Sequence, residues 1–238
     1  MNFSELFETF RPFDEAVGEH VHSLLESFDT ILTPLALIFD VIGEVGAFGA
    51  LVALILMLFA KTRHIGLGMV ISIVCGALCT NVVLKGLFSR ARPFESGEPF
   101  LSWWEAAGAH AQGGFSFPSG HVTSAACAAF ALIICYFLSV RAPFRRENDK
   151  ERSLRIAAAI LVPIGAVAYV LIMAFARCYI FVHYASDTVA GMIVGALCAP
   201  IASALTVLCY RLCLKWRESR LSRFVLDADI RSLFTRKK

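Results

Sequence analysis

The chain has 238 residues, of which 58% are apolar and only 17% charged, with a formal net charge of +3 and a mean hydropathy of +0.68. Soluble domains average roughly 45–50% apolar and about a quarter charged residues, so these side chains are too few to wet the surface of a globule this size. The composition excludes a soluble globular enzyme, a disordered chain and a secreted disulfide scaffold, and it identifies an integral membrane protein.

In chain order, the first segment carries Phe3, Leu6, Phe7, Phe10, Val17, Val21, Leu24, Leu25 and Phe28 at three- and four-residue spacing, with acids between them. Such a stripe suits a helix lying in the membrane interface or packed across the outer ends of a bundle. Residues 1–32 are therefore predicted as an interfacial amphipathic segment, divided at Arg11-Pro12, because proline disfavours a helical residue before it. Next comes the apolar run 45–60, which reaches spanning length only if extended back through Leu35–Ile38, and then carries Asp40 and Glu44. Four further runs, 65–84, 122–140, 156–176 and 188–210, contain no Asp, Glu, Lys, Arg or His. A helix rises 1.5 Å per residue, so about 20 residues cross a hydrocarbon core of roughly 30 Å. The expected fold is an all-α polytopic membrane bundle of about five transmembrane helices plus the N-terminal interfacial helix. The spanning domain is placed at 33–214 and a basic cytoplasmic tail at 215–238.

Orientation follows from the basic residues. With five spans, the 61–64 connection, the 141–155 loop and the tail from Arg211 fall on one side and hold 17 of the 22 Lys and Arg. The positive-inside rule makes that side cytoplasmic. The remaining five, Arg11, Lys85, Arg90, Arg92 and Arg177, face outward. The net charge is thus accounted for by topology and membrane lipids, with no nucleic-acid partner. The eight cysteines form no Cys-x-x-Cys pair and mostly sit in or beside spans, as small apolar residues do. Cys178 lies nearest the charged cluster, and Gly191 with Gly195 has the spacing of a close helix contact.

Several charges remain where a lipid-embedded chain should avoid them. Lys85 ends one span, and Arg92-Pro93 follows. Phe117-Pro118-Ser119-Gly120-His121 opens the next. Arg177, His183 and Asp187 lie between the last two. All fall on the outward face. Lys85, Arg92 and Arg177 supply three cations, two of them planar forks suited to phosphate oxygens. Ser119 and Gly120 at a helix start supply a hydroxyl, backbone N–H groups and room for close approach. His183 and Asp187 share one face if both are helical, so Asp187 can fix the ring tautomer that leaves the other nitrogen nucleophilic. His121 is placed to give a proton to a leaving oxygen. The carboxylates are not clustered, and neither metal nor cofactor is expected.

Lys85 with six residues before Arg92-Pro93, then Pro118-Ser119-Gly120-His121, then Arg177 with five residues before His183 and three more before Asp187, resembles the three-part signature of the type 2 phosphatidic acid phosphatase superfamily. The resemblance spans residues 85–187. It implies a helical bundle, metal-independent phosphatase chemistry and a lipid phosphate substrate. It also implies His183 as nucleophile through a phosphohistidine, Asp187 as its partner, His121 as acid, and Lys85, Arg92, Ser119, Gly120 and Arg177 around the phosphate. One departure is Ala176, where the family usually has Ser before the Arg.

The short chain and N-terminal helix resemble bacterial members that act on undecaprenyl diphosphate at the outer face of the cell membrane. Phosphatidic acid and phosphatidylglycerol phosphate fit the same physics. A lipid phosphotransferase and a non-catalytic lipid-phosphate binder or transporter are the competing functions. Trp103 and Trp104 either shape substrate access or anchor the chain at the interface.

Overall fold

The computed structural model describes residues 3–140 and 149–230. Much of the predicted basic loop, residues 141–148, and the last eight positions of the tail lie outside the described residues. Among the described residues all regular structure is helical: α1 Phe3–Gly43, α2 Ala47–Met57, α3 Arg63–Ala77, α4 Lys85–Phe88, α5 Phe100–Ala107, α6 Gly120–Val140, α7 Asp149–Tyr179, α8 Ala185–Lys215 and α9 Arg220–Asp227. Four helical stretches are long and apolar enough to cross a membrane: Arg63–Glu95, Gly120–Leu138, Ile156–Tyr179 and Ala185–Lys215. A fifth crossing exists if α1 and α2, bent by 55° at their junction, count as one broken span. The protein is a multi-pass membrane helical bundle.

The N-terminal helix is not broken at Arg11-Pro12. α1 runs through both Pro12 and Pro34, and its non-helical residue is Phe28 (φ −139°, ψ 26°). Ser27 Oγ donates to the Ser23 carbonyl and Asp29 Oδ1 accepts from the Thr30 N–H, so side chains compete with the backbone ladder at Phe28 rather than at Arg11. No element boundary falls at residue 32. Asp14, Gly18, Val21 and Leu25 form the buried stripe of this helix. Val21 and Leu25 join a cluster with Ala107, Tyr179, Ile180, Phe181 and Val182. Trp103 stacks on His22 and packs against Phe181, while Trp104 stacks on Phe94. Both tryptophans thereby fix α5 in place, and Cys178 packs against the same cluster.

α6 and α8 form the tightest pair. A Cβ built at Gly195 would lie 2.4 Å from Ala126 Cβ and 2.8 Å from the Cys127 nitrogen; one at Gly191 would lie 2.8 Å from the Ser119 carbonyl oxygen. The two glycines let the backbones meet, as their spacing predicts. Gly165 on α7, by contrast, has nothing within 4 Å of its would-be Cβ. Gly195→Ala is expected to destabilise by about 1–3 kcal/mol through overpacking, while Gly165→Ala leaves stability unchanged or slightly raised. Thermal unfolding of the two variants in detergent checks this pair.

α3 passes through a π-helical turn at Leu78–Leu84 before reaching Lys85, the kind of local irregularity common near functional sites. At the opposite end of that run, buried Arg63 donates to the carbonyls of Met57, Phe224, Val225 and Ala228. Ala60 N–H donates to Asp229 Oδ2 and Ile230 N–H to the Leu58 carbonyl. The first part of the predicted tail is therefore docked on the α2–α3 turn, at the end away from Lys85.

Candidate active site

α8 starts at Ala185, with Tyr184 in extended conformation before it. His183 therefore lies outside the helix, in contrast to the expectation that it shares a helical face with Asp187. The two meet because Asp187, in the first turn, folds back over the chain entering α8. Its Oδ2 accepts from the Tyr184 N–H at 2.9 Å, a capping arrangement that satisfies one of the helix's unpaired donors. His183 Nδ1 lies 3.5 Å from that oxygen. Ser116 Oγ stands between them, 2.5 Å from Asp187 Oδ2 and 3.3 Å from His183 Nδ1.

These contacts set the tautomer. A serine hydroxyl has one proton, and the short contact assigns it to the carboxylate. Ser116 Oγ must then accept from the histidine, placing a proton on Nδ1. On the other side of the ring, Arg92 Nη1 lies 3.4 Å from Nε2. Guanidinium can only donate, so Nε2 carries a lone pair. Both sides of the ring agree. Burial holds His183 well below its ordinary value of 6.5, and the positive fields of Arg177, Arg92, Lys85 and His121 push in the same direction. The imidazole is a neutral base with its free nitrogen toward cations.

Arg92 is buried and rigid. Its guanidinium donates to the carbonyls of Gly113 (3.0 Å), Gly114 (2.9 Å) and Val182 (2.9 Å). Lys85 is half-buried, and its ammonium has no hydrogen-bond or ion-pair partner among the described residues. Ser119 is fully buried, and its N–H donates to the Asp187 carbonyl at 3.1 Å. That amide, read from sequence as available to an anion, is in fact used to tie the start of α6 to α8. The amides of Gly120, His121 and Val122 come before the first bond of α6, from the Thr123 N–H to the Ser119 carbonyl at 2.9 Å, so they have no intrahelical partner. A Cβ at Gly120 would meet only Asn81 Oδ1, at 3.4 Å, so packing does not demand glycine there.

Arg177 is completely buried. It pairs with Asp40 and donates to Gln112 Oε1, rather than standing free as the sequence suggested. His121 Nε2 lies 3.7 Å from the same Asp40 oxygen. Asp40 and Glu44, unassigned by sequence, line a cavity of about 470 Å³ together with His110, Gln112, Gly113 and His121. Ser119 Oγ, His121 Nε2 and Arg177 Nε are buried without a hydrogen-bond partner among the described residues. Buried polar atoms are rarely left so, and these belong to residues picked from sequence for the site, Ser119 and Arg177 around the phosphate and His121 as acid. Among the described residues no three His, Cys, Asp or Glu side chains are placed to hold a metal ion.

Arg90, Asp14, Ser116, Gln112 and Asp40 are the participants that sequence reading missed. Ser116 and Arg90 had a usable signal, each lying two residues before a motif residue. Asp14 had one too, as an acid in phase with Gly18, Val21 and Leu25.

The PAP2 superfamily profile matches residues 65–211. The chain belongs to the PAP2 superfamily. Its PAP2 region contains every residue of the three motifs, whereas Asp14 and Asp40 come from the helix in front of it. Phosphatidylglycerophosphatase B of Bacillus subtilis (strain 168) is 32% identical over 117 residues, covering 49% of this chain and 46% of that protein. The match therefore spans about half of each. Among solved structures, the crystal structure of the first transmembrane PAP2 type phosphatidylglycerolphosphate phosphatase from Bacillus subtilis aligns over 86% of this chain and 95% of that one, at 21% identity and a TM-score of 0.48.

Proposed function

We propose that this PAP2 protein is a lipid phosphate phosphatase working through a phosphohistidine. The observation that carries the reading is the His183 ring, held by Ser116 and Asp187 on Nδ1 with a lone pair on Nε2 beside Arg92. His183 Nε2 attacks phosphorus, the P–N bond forms and the P–O bond to the lipid breaks. His121 gives its proton to the departing oxygen. Water, deprotonated by His121, then attacks the phosphohistidine, releasing inorganic phosphate and restoring both rings. Lys85, Arg92 and Arg177, with Ser119 and the amides at the start of α6, stabilise charge on the transferring oxygens. For Arg177 to take part, the phosphate must displace or share it with Asp40.

Because His183 is held neutral, it stays nucleophilic across the neutral range. Protonating it removes activity only at pH below its ordinary 6.5. In this reading the spanning unit begins near residue 33, and the site opens at the outer face of a bacterial inner or plasma membrane. Arg63 with the docked start of the tail marks the cytoplasmic end. The substrate keeps its tail in the bilayer.

Two substrates lead this reading: undecaprenyl diphosphate, from the resemblance of the N-terminal helix and bundle to enzymes of that lipid, and phosphatidylglycerol phosphate, from the name of the Bacillus relative. The test is phosphate release by detergent-purified protein from both lipids and from phosphatidic acid, with and without EDTA. Release that survives EDTA is expected, since three cations and helix amides supply the charge. Strict dependence on added Mg²⁺ would contradict the mechanism. Transfer to an added alcohol in place of water would move the protein to the phosphotransferases.

A further inference from the structure

Arg90, the residue two before Arg92, is absent from the phosphate-facing set, yet its guanidinium ties together two buried carboxylates beside the site. Nη1 donates to Asp187 Oδ1 at 2.6 Å and to Ser186 Oγ at 2.7 Å, while Nη2 donates to Asp14 Oδ2 at 2.7 Å. The plane lies between the rings of Tyr184, 3.9 Å from the centroid, and Phe7, 4.5 Å away. Asp14 is itself buried. Its Oδ1 accepts from the Ser186 N–H and its Oδ2 from Ser186 Oγ, both at 2.8 Å.

The carboxylate that orients His183 is therefore held on both oxygens. Ser116 and the Tyr184 amide fix Oδ2, and Arg90 fixes Oδ1. Arg90 is in turn fixed by Asp14 on α1. Holding a buried carboxylate ionised takes a paired, hydrogen-bonded cation. Arginine supplies two parallel donors where lysine would supply a point charge.

We propose that Arg90 and Asp14 are positioning residues for the His183–Asp187 pair, so that the N-terminal helix is a working part of the site through an Asp14–Arg90–Asp187 relay. The proposal rests on His183 acting as nucleophile. Neither residue reaches the phosphate, so their loss should lower kcat and leave KM in place. Partners that orient an active-site group typically matter by about 10–100-fold.

A cavity of about 310 Å³ opens onto Arg90, lined by Asp14, Glu15, Ser96, Phe100 and Tyr184 among others. It offers a route for a small cation to the place of a deleted guanidinium. The experiment uses the full chain in detergent, with wild type and His183→Ala run first. Turnover in the former and none in the latter establishes the underlying reading independently. Arg90→Ala is then expected to lose about 10–100-fold in kcat with KM within twofold, and to recover part of it in millimolar guanidinium chloride relative to matched sodium chloride. Arg90→Lys should retain more activity than Arg90→Ala. Asp14→Asn should reduce kcat less than Arg90→Ala, and the double variant should be no worse than Arg90→Ala alone, because the two act as a unit. An Arg90→Ala protein with wild-type kcat overturns the proposal. So does one that loses activity only through a raised KM, or one whose lost kcat guanidinium leaves unchanged while Arg90→Lys is equally impaired.

Discussion

His183→Ala abolishes turnover, by about 10⁴-fold or more, while leaving the bundle folded. The size follows from the role, since among the described residues no other imidazole lies against Arg92. The fold survives because the ring is not what holds its surroundings together. Ser116 still donates to Asp187, Tyr184 N–H still caps on the same carboxylate, and Arg92 keeps its three carbonyls. The check is phosphate release beside a thermal unfolding curve in the same detergent. Activity within tenfold of wild type would remove the nucleophile from the mechanism. If the cluster merely binds lipid phosphates, wild type and variant alike will release none.

Asp187→Asn lowers kcat by about 10³–10⁴-fold with little change in KM, by analogy with the amide that presents the wrong tautomer in a serine-protease triad. Asp187 accepts from three donors, Ser116, the Tyr184 N–H and Arg90, and stands 3.5 Å from His183 Nδ1. Asparagine has one carbonyl oxygen for that set and turns an NH₂ toward donors on the other side. Ser116 loses the carboxylate that takes its proton and is free to turn that proton toward Nδ1, so the lone pair on Nε2 is no longer enforced. Stability falls as well. Removing one member of a buried ion pair commonly costs about 3–5 kcal/mol, and less is expected here because Asp14 still pairs with Arg90. Steady-state kinetics at saturating lipid with a melting curve separate the two effects. A variant that melts like wild type and retains kcat would show that the carboxylate does not orient the ring.

Much of this molecule can be read from one sequence because lipid imposes simple rules. Runs without charge near 20 residues become spans, and charges that survive at span ends stand out. That is why Lys85, Arg92, His121, Arg177, His183 and Asp187 could be picked before any coordinates. Local geometry was harder. Asp187 meets His183 through a capping turn, whereas i,i+4 spacing suggests a shared helix face. Arg177 meets Asp40, a long-range partner that no motif names. α1 looked peripheral because its hydrophobicity is weak, and Pro12 looked like a break. Only Asp14, an acid on the apolar stripe, hinted that this face packs on something cationic. Periodicity shows which face is buried, but the partner across the interface comes from tertiary packing, and there Arg90 links the N-terminal helix to the histidine pair.

The most direct measurement is to trap the intermediate. Detergent-purified protein is mixed with a lipid labelled in its terminal phosphate, in EDTA, and quenched in alkali, where phosphohistidine persists. The mechanism predicts label on the peptide containing His183, decaying as phosphate appears, and none on His183→Ala. Phosphate release by wild type with no protein-bound label at any time, or label that persists in His183→Ala, would contradict it.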